Sequence, residues 1–250
     1  MRRPSRTWCV PCLAGILACL AVPASAQAQA PANPWTVSAS VGLAVTGGNS
    51  QTSTFNAGYD VTFDPKTRNV LKSEGLFIRG KTDGELSASR FGFTVRDEYG
   101  LTPRVFVFGQ NQYLRDRFKE IDYLIAPTGG VGLRVADSDA MKLSVDAGVG
   151  GVWEKNTGLD DVKTSGAVTL GEKLTRRLND AVGVTQTFTG LWKTSDFADA
   201  LYTFGLGLSA RVSTFTQFKV EWLDTYKNRP PAADVKKNDV SLLVSLVFKR

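Results

Sequence analysis

From Trp35 onward the chain alternates apolar and polar residues with a period of two. Trp35, Val37, Ala39, Val41, Leu43 and Val45 alternate with Thr36, Ser38, Ser40, Gly42, Ala44 and Thr46, as in a strand with one apolar face. Phe55, Ala57, Tyr59, Val61 and Phe63 repeat the pattern against Thr54, Asn56, Gly58, Asp60 and Thr62. Between the two arms, Thr46-Gly47-Gly48-Asn49-Ser50 supplies residues that tolerate φ > 0, which predicts a hairpin. Arms of about ten residues or more are long for a globular strand and suit one that crosses a bilayer at a tilt.

The rest of the chain reads as further segments of this kind. Asp64-Pro65-Lys66-Thr67 turns into a segment from Asn69 to Gly80, and Lys81 to Glu85 is a loop containing Asp83-Gly84. Ser87 to Gly100 follows, then a turn at Thr102-Pro103-Arg104. Val105 to Leu114 is ambiguous, because Phe106 and Phe108 oppose Val105 and Val107. A charged loop from Arg115 to Glu120 leads into Asp122 to Val135, where Pro127, Gly129 and Gly130 predict a bend or bulge. After Asp137-Ser138-Asp139, Met141, Leu143, Val145, Ala147, Val149 and Trp153 alternate cleanly against Lys142, Ser144, Asp146, Gly148, Gly150 and Glu154. These glycines suggest room made inside a crowded lumen. Val162 to Leu174, Val182 to Trp192, Tyr202 to Val212, Phe218 to Tyr226 and Val240 to Phe248 complete the series. The count is about twelve, an even number, as in single-chain bacterial outer-membrane barrels. Turns at Asp64, Thr102, Asp137, Leu178 and Thr214 are short, and the connections between them are expected to be mostly longer, the asymmetry of periplasmic turns and outer loops. The fold class is therefore all-β, an antiparallel up-and-down transmembrane β-barrel forming a single domain over 35–250.

The N-terminus reads as an address. Arg2, Arg3 and Arg6 precede an apolar run from Trp8 to Val22, and Ala24-Ser25-Ala26 is a cleavage signal, so residues 1–26 form a secretory signal peptide. Residues 27–34 are a short flexible lead-in. Cys9, Cys12 and Cys19 all fall in the removed segment, and the chain has no histidine. Thiolate or imidazole metal sites, disulfides and Ser-His or Cys-His catalysis are thereby excluded from the mature chain. The formal charge of +6 falls to +3 without the three signal arginines, which gives no basis for a nucleic-acid partner.

Aromatic residues recur near the ends of the apolar faces: Trp35, Tyr59, Phe63, Phe91, Tyr99, Tyr113, Tyr123, Trp153, Trp192, Tyr202, Trp222, Tyr226 and Phe248. Their placement resembles the interfacial girdles of membrane barrels. The opposite face carries Asp60, Lys72, Glu74, Arg96, Glu98, Arg134, Asp146, Lys173, Arg211, Lys219 and Glu221. Pointing inward, these side chains either line a polar permeation path or fill the lumen with ion pairs, since twelve strands lie between filled barrels and open channels. The Gly47-Gly48 turn lacks the Lys-Ser/Thr ending of a phosphate loop. The oxygens of Asn156 to Asp161 match no EF-hand spacing. No catalytic, cofactor or metal residues are assigned. Arg229-Pro230-Pro231 and Lys236-Lys237 are solvated loop residues with a second reading as contacts to lipopolysaccharide phosphates.

The Thr-Gly-Gly-Asn-Ser turn with Thr52, Asn56 and Gly58 behind it, Tyr113 with Arg115 and Asp116, and Tyr226-Lys227-Asn228-Arg229-Pro230-Pro231 before Lys237 and Asp239 resemble the domain-of-unknown-function family numbered 481. Its members are often labelled salt-induced outer membrane proteins. The resemblance covers most of the mature chain and implies an outer-membrane β-barrel of Gram-negative bacteria, with no substrate or catalytic residues to carry over. Such barrels commonly end in an aromatic residue, whereas here Phe248 is followed by Lys249 and Arg250. Expected partners are outer-membrane lipid and lipopolysaccharide, the barrel-assembly machinery, and small solutes or ions. Three functions follow in order: a structural, envelope-stress or permeability role without catalysis, a narrow pore for small solutes or ions, and a histidine-independent lipid-modifying enzyme.

Overall fold

The computed structural model describes residues 33–46, 52–232 and 235–249. The signal-peptide reading, the Gly47-to-Ser50 turn and Arg250 lie outside them. Within them the strands are β1 (Trp35–Thr46), β2 (Thr52–Phe63), β3 (Asn69–Thr82), β4 (Glu85–Gly100), β5 (Val105–Asp116), β6 (Ile121–Asp137), β7 (Met141–Asn156), β8 (Val162–Arg177), β9 (Val182–Lys193), β10 (Asp196–Arg211), β11 (Thr216–Lys227) and β12 (Asn238–Lys249). A single 3-10 turn, Arg117–Lys119, joins β5 to β6. Each strand pairs antiparallel with its neighbours in sequence, and β1 pairs with β12, so the sheet closes into a twelve-stranded up-and-down barrel. Closure leaves no edge strand, which is what hydrocarbon surroundings demand of backbone N–H and C=O groups.

The alternation is translated directly into an outside and an inside. Val41, Leu43, Val149, Leu208, Leu242 and Leu246 are exposed on the outer wall, while their neighbours Gly42, Gly148, Gly207, Leu243 and Val247 are buried. The strands run longer than the sequence pattern suggested, since Arg115 and Asp116 continue β5 and Arg177 ends β8. This corrects the expected turn asymmetry. Asp83–Gly84 and Thr194–Ser195 are two-residue turns, and of the described connections at that end only 228–237 is long. The first is a tight hairpin, with Asp83 at φ 52° and Gly84 at φ 84°, the paired positive-φ geometry that Asp-Gly favours. The end holding the start of β1, the finish of β12 and the turns at Asp64, Thr102, Asp137, Leu178 and Thr214 is the turn end, and the opposite one the loop end.

The bend expected at Pro127 to Gly130 is also corrected. Register against β5 and β7 runs through without a shift, and the irregularities lie between Ile121 and Tyr123 and between Arg134 and Ala136. Pro127 lacks a donor, so it interrupts the ladder to β7 without displacing it. The inward glycines answer to crowding: a Cβ on Gly132 would lie 2.1 Å from the Phe106 ring, and one on Gly150 2.1 Å from the Pro127 carbonyl oxygen.

Candidate functional site: a charged vestibule beneath a plugged mouth

The inside of the barrel divides along its length into two halves of different chemistry. The turn-end half holds a cavity of about 1010 Å³ whose wall includes the turns at Asp64 to Arg68 and Leu101 to Pro103 and continues inward to Thr94, Gln110, Gln112, Thr169 and Thr189. Eight of the predicted inward residues line it: Asp60, Lys72, Glu74, Arg96, Glu98, Arg134, Asp146 and Lys173. Lys219 and Glu221 pair with each other at 2.8 Å on another stretch of wall, and Arg211 is exposed at the turn end of β10.

Arg96 organises this vestibule. Its guanidinium donates to Glu98 Oε1 at 2.9 Å, to Gln110 Oε1 at 2.8 Å and, across the lumen from β4 to β7, to Asp146 Oδ2 at 3.0 Å. Glu98 also accepts from Lys72 at 2.8 Å and lies 3.8 Å from Arg134. The face-ambiguous β5 is explained here, because Phe106 and Phe108 point inward beneath these cations. The Arg96 guanidinium carbon is 3.7 Å from the Phe108 ring centroid and that of Arg134 is 4.8 Å from Phe106, within cation–π range. Lys173 of β8 reaches Glu74 of β3 at 3.6 Å, with about half of each side chain exposed.

The loop-end half is largely filled, with a smaller cavity of about 100 Å³ left beside Arg90 and Thr225. Leu114, Leu124, Ala126, Val152, Ala167, Leu191 and Leu201 turn inward and pack with Ile121 into one buried cluster. A second cluster of Ile78, Leu223 and Leu243 sits against β3 and β4. Over the first lies a set of buried charges drawn from opposite walls. Glu154 of β7 accepts from Lys227 of β11 at 2.5 Å through Oε1, and Lys193 of β9 lies 3.0 Å from Oε2 as an ion pair without hydrogen-bond alignment. Lys193 also donates to Asp199 at 2.5 Å. Lys119, fully buried, donates to the carbonyls of Lys236 at 2.9 Å and Lys237 at 2.7 Å and stands 2.9 Å from Asp239. Arg90 of β4 donates to the Thr225 hydroxyl of β11. Chords such as β7 to β11 and β4 to β11 span the barrel, so the charges act as crossbars.

These crossbar residues were absent from the sequence-derived lumen set. The signal was present for three of them: Glu154, Lys193 and Lys227 directly follow the outward aromatics Trp153, Trp192 and Tyr226, and period two then turns each charge inward.

On the outer wall, the rings of Trp35 and Phe63 meet at 4.6 Å, tilted by 44°, near the turn end, where Tyr99 and Phe248 are also exposed. Tyr113, Tyr123, Trp153, Trp192, Tyr202 and Tyr226 lie toward the loop ends of their strands, and Trp192 donates to the Tyr202 hydroxyl at 3.0 Å. Tyr59, Phe91 and Trp222 lie between these two levels, nearer the middle of β2, β4 and β11.

No curated protein matches the chain. Among solved structures, the NanC porin covers 86% of this chain and 100% of its own at 10% identity and a TM-score of 0.51, which shows a shared fold. An outer-membrane channel from Pseudomonas putida covers 89% of this chain and 97% of its own at 9% identity and a TM-score of 0.49. The translocator domain of the autotransporter NalP from Neisseria meningitidis covers 86% and 87% at 10% identity and a TM-score of 0.46. The family model described as a protein of unknown function, DUF481, matches residues 39–249. With a closed twelve-stranded barrel over the same residues, the chain belongs to the DUF481 family of β-barrel proteins.

Proposed function

We propose that this protein is a non-enzymatic outer-membrane barrel with a barrier role, its lumen sealed at the loop end and open as a solute-accessible vestibule at the turn end. The observation that carries the reading is Glu154, a carboxylate of β7 held between Lys193 of β9 and Lys227 of β11 with 2% of its side chain exposed. Three charges locked across the lumen above an apolar cluster obstruct it at that level, and a buried pair of this kind holds firmly because separating it strands a charge.

A second reading, a narrow pore for small solutes or ions, draws its support from the vestibule itself. Its wall carries charged residues of both signs, Asp146 and Lys173 among them, which would keep the space wet for ions or polar solutes. Single-channel recording of the folded, signal-free protein in planar bilayers separates the two. The barrier reading expects silence from the natural protein and channel openings from Glu154→Gln. Steady steps from the natural protein, with an ion selectivity that shifts in Asp146→Asn, would establish the pore instead.

A further inference from the structure

The outer wall is not uniform at the loop end. Register places Arg79 of β3, Arg115 of β5 and Lys155 of β7 on the outward face, in line with Phe55, Phe91 and Tyr123 respectively. From β8 onward the corresponding outward residues are Val162, Thr164, Trp192, Tyr202, Tyr226 and Val240, none of them charged. Outward cations are therefore gathered on one side of the mouth.

Their heights can be read from the pairing. The row Trp35, Phe63, Leu71, Asp97, Gly109, Gly129, Val149, Val168, Trp192 starts at the turn end of β1 and arrives at the loop end of β9, so each step to the next strand also climbs. Arg115 is two strands along the row from Phe77, through Phe91, while Arg79 is two residues up the strand from Phe77. With strands tilted by about 40° and spaced about 4.8 Å apart, both displacements rise about 5 to 6 Å. The two guanidinium-bearing residues thus stand at one level, with Cα atoms about 12 Å apart.

Below that level lies an aromatic floor facing outward. Phe55 and Phe77 are 6.1 Å apart, Phe91 lies 5.9 Å from both Phe93 and Tyr113, and Phe93 stacks on Tyr113 at 5.3 Å. Arg79 has no ion pair among the described residues, and Arg115 has only Asp122 at 3.6 Å, with both partners about half exposed. Two little-committed guanidinium groups over an apolar aromatic surface match an amphiphile that carries phosphates on its headgroup and hydrocarbon beneath, and Arg binds phosphate through bidentate hydrogen bonds.

We propose that the outer face of β3 to β5 is a binding site for the phosphorylated headgroup of an outer-leaflet glycolipid, with Arg79 and Arg115 each taking a phosphate and Phe77, Phe91 and Tyr113 packing the acyl chains. The proposal rests on the outer-membrane reading above, with the loop end outward. Native mass spectrometry of the full chain folded in detergent tests it, with diphosphorylated lipid A as the probe and the same lipid stripped of both phosphates as the comparison. The natural protein should retain the diphosphorylated form and bind the stripped one at least tenfold more weakly. Arg79→Gln with Arg115→Gln should lose at least tenfold, whereas Arg176→Gln, outward at the turn end, should bind as the natural protein does. Equal retention of both lipids, or an undiminished double variant, overturns the site. The comparison of lipids on the natural protein decides the matter even where the double variant fails to fold. Density separation of cell membranes reports on location independently: the protein in an inner-membrane fraction would sink the outer-membrane reading, and with it a site for an outer-leaflet lipid.

Discussion

The two halves of the lumen use the same residue types to opposite ends. In the vestibule, Lys173 and Glu74 meet across the barrel at 3.6 Å with about half of each side chain in solvent. In the plug, Lys227 and Glu154 meet across it at 2.5 Å with 2% of each exposed. Solvent screens the first pair and lets it open cheaply. The second has exchanged water for fixed partners, and either charge left alone would be stranded among leucines. The pairs teach that a count of inward charges does not describe a lumen; how far each pair is withdrawn from solvent sets what breaking it costs.

The sharpest way to break this contrast is to remove the shared carboxylate. Glu154→Ala leaves Lys193 and Lys227 buried without their common partner, and a loss of about 3–5 kcal/mol is expected, read as the shift in urea unfolding from lipid vesicles. Truncating the apolar layer beneath comes next. Leu124→Ala, at a site 1% exposed, should cost about 2–5 kcal/mol and add current noise in bilayers by loosening the seal. Glu74→Gln in the vestibule should cost less than about 1 kcal/mol and leave the recordings unchanged. If it matched Glu154→Ala, the two halves would be energetically alike and the comparison would fail.

The smallest effect lies outside the spanning strands. Asp64 accepts from the Lys66 ammonium at 2.8 Å and from the Lys66 amide at 2.9 Å, and the hydrogen bond from the ammonium is the largest of the causes that hold its carboxyl below the usual range. A depressed carboxylate contributes stability that is present above its unfolded value and lost as pH falls through the folded one. Acidification into that range should therefore loosen the turn slightly, and Asp64→Asn should remove that part of the pH dependence. Amide exchange at Lys66 is the measurement, and an identical pH response in the variant would contradict it.

Period two made the barrel legible because each strand turns one face outward and the other to the lumen, so apolar and polar positions alternate along it. It faltered where the lumen is dry. Phe106 and Phe108 look like a break in β5 only on the assumption that inward means polar, and Leu114, Leu124 and Leu191 share that disguise. Strand ends failed for a related reason: Arg115 and Asp116 read as loop because charge is taken for solvent, yet the first faces outward and the second is buried inward. The crossbars needed the third dimension, since nothing in the spacing of Glu154, Lys193 and Lys227 announces that β7, β9 and β11 bring them together.

The closing pair of strands has a consequence for assembly. Among the described residues β1 and β12 share four pairs, Ser38 to Val41 against Lys249 to Leu246, where β1 and β2 share twelve. Every other seam joins sequence neighbours and can zip as the chain arrives, but this one must bring together segments about 200 residues apart, at the greatest entropic cost of any junction in the molecule. It is also the junction with the fewest hydrogen-bonded residues to offset that cost. The cylinder is thus best pictured as a sheet that curls early and latches last, with its latch at the turn end of the first strand.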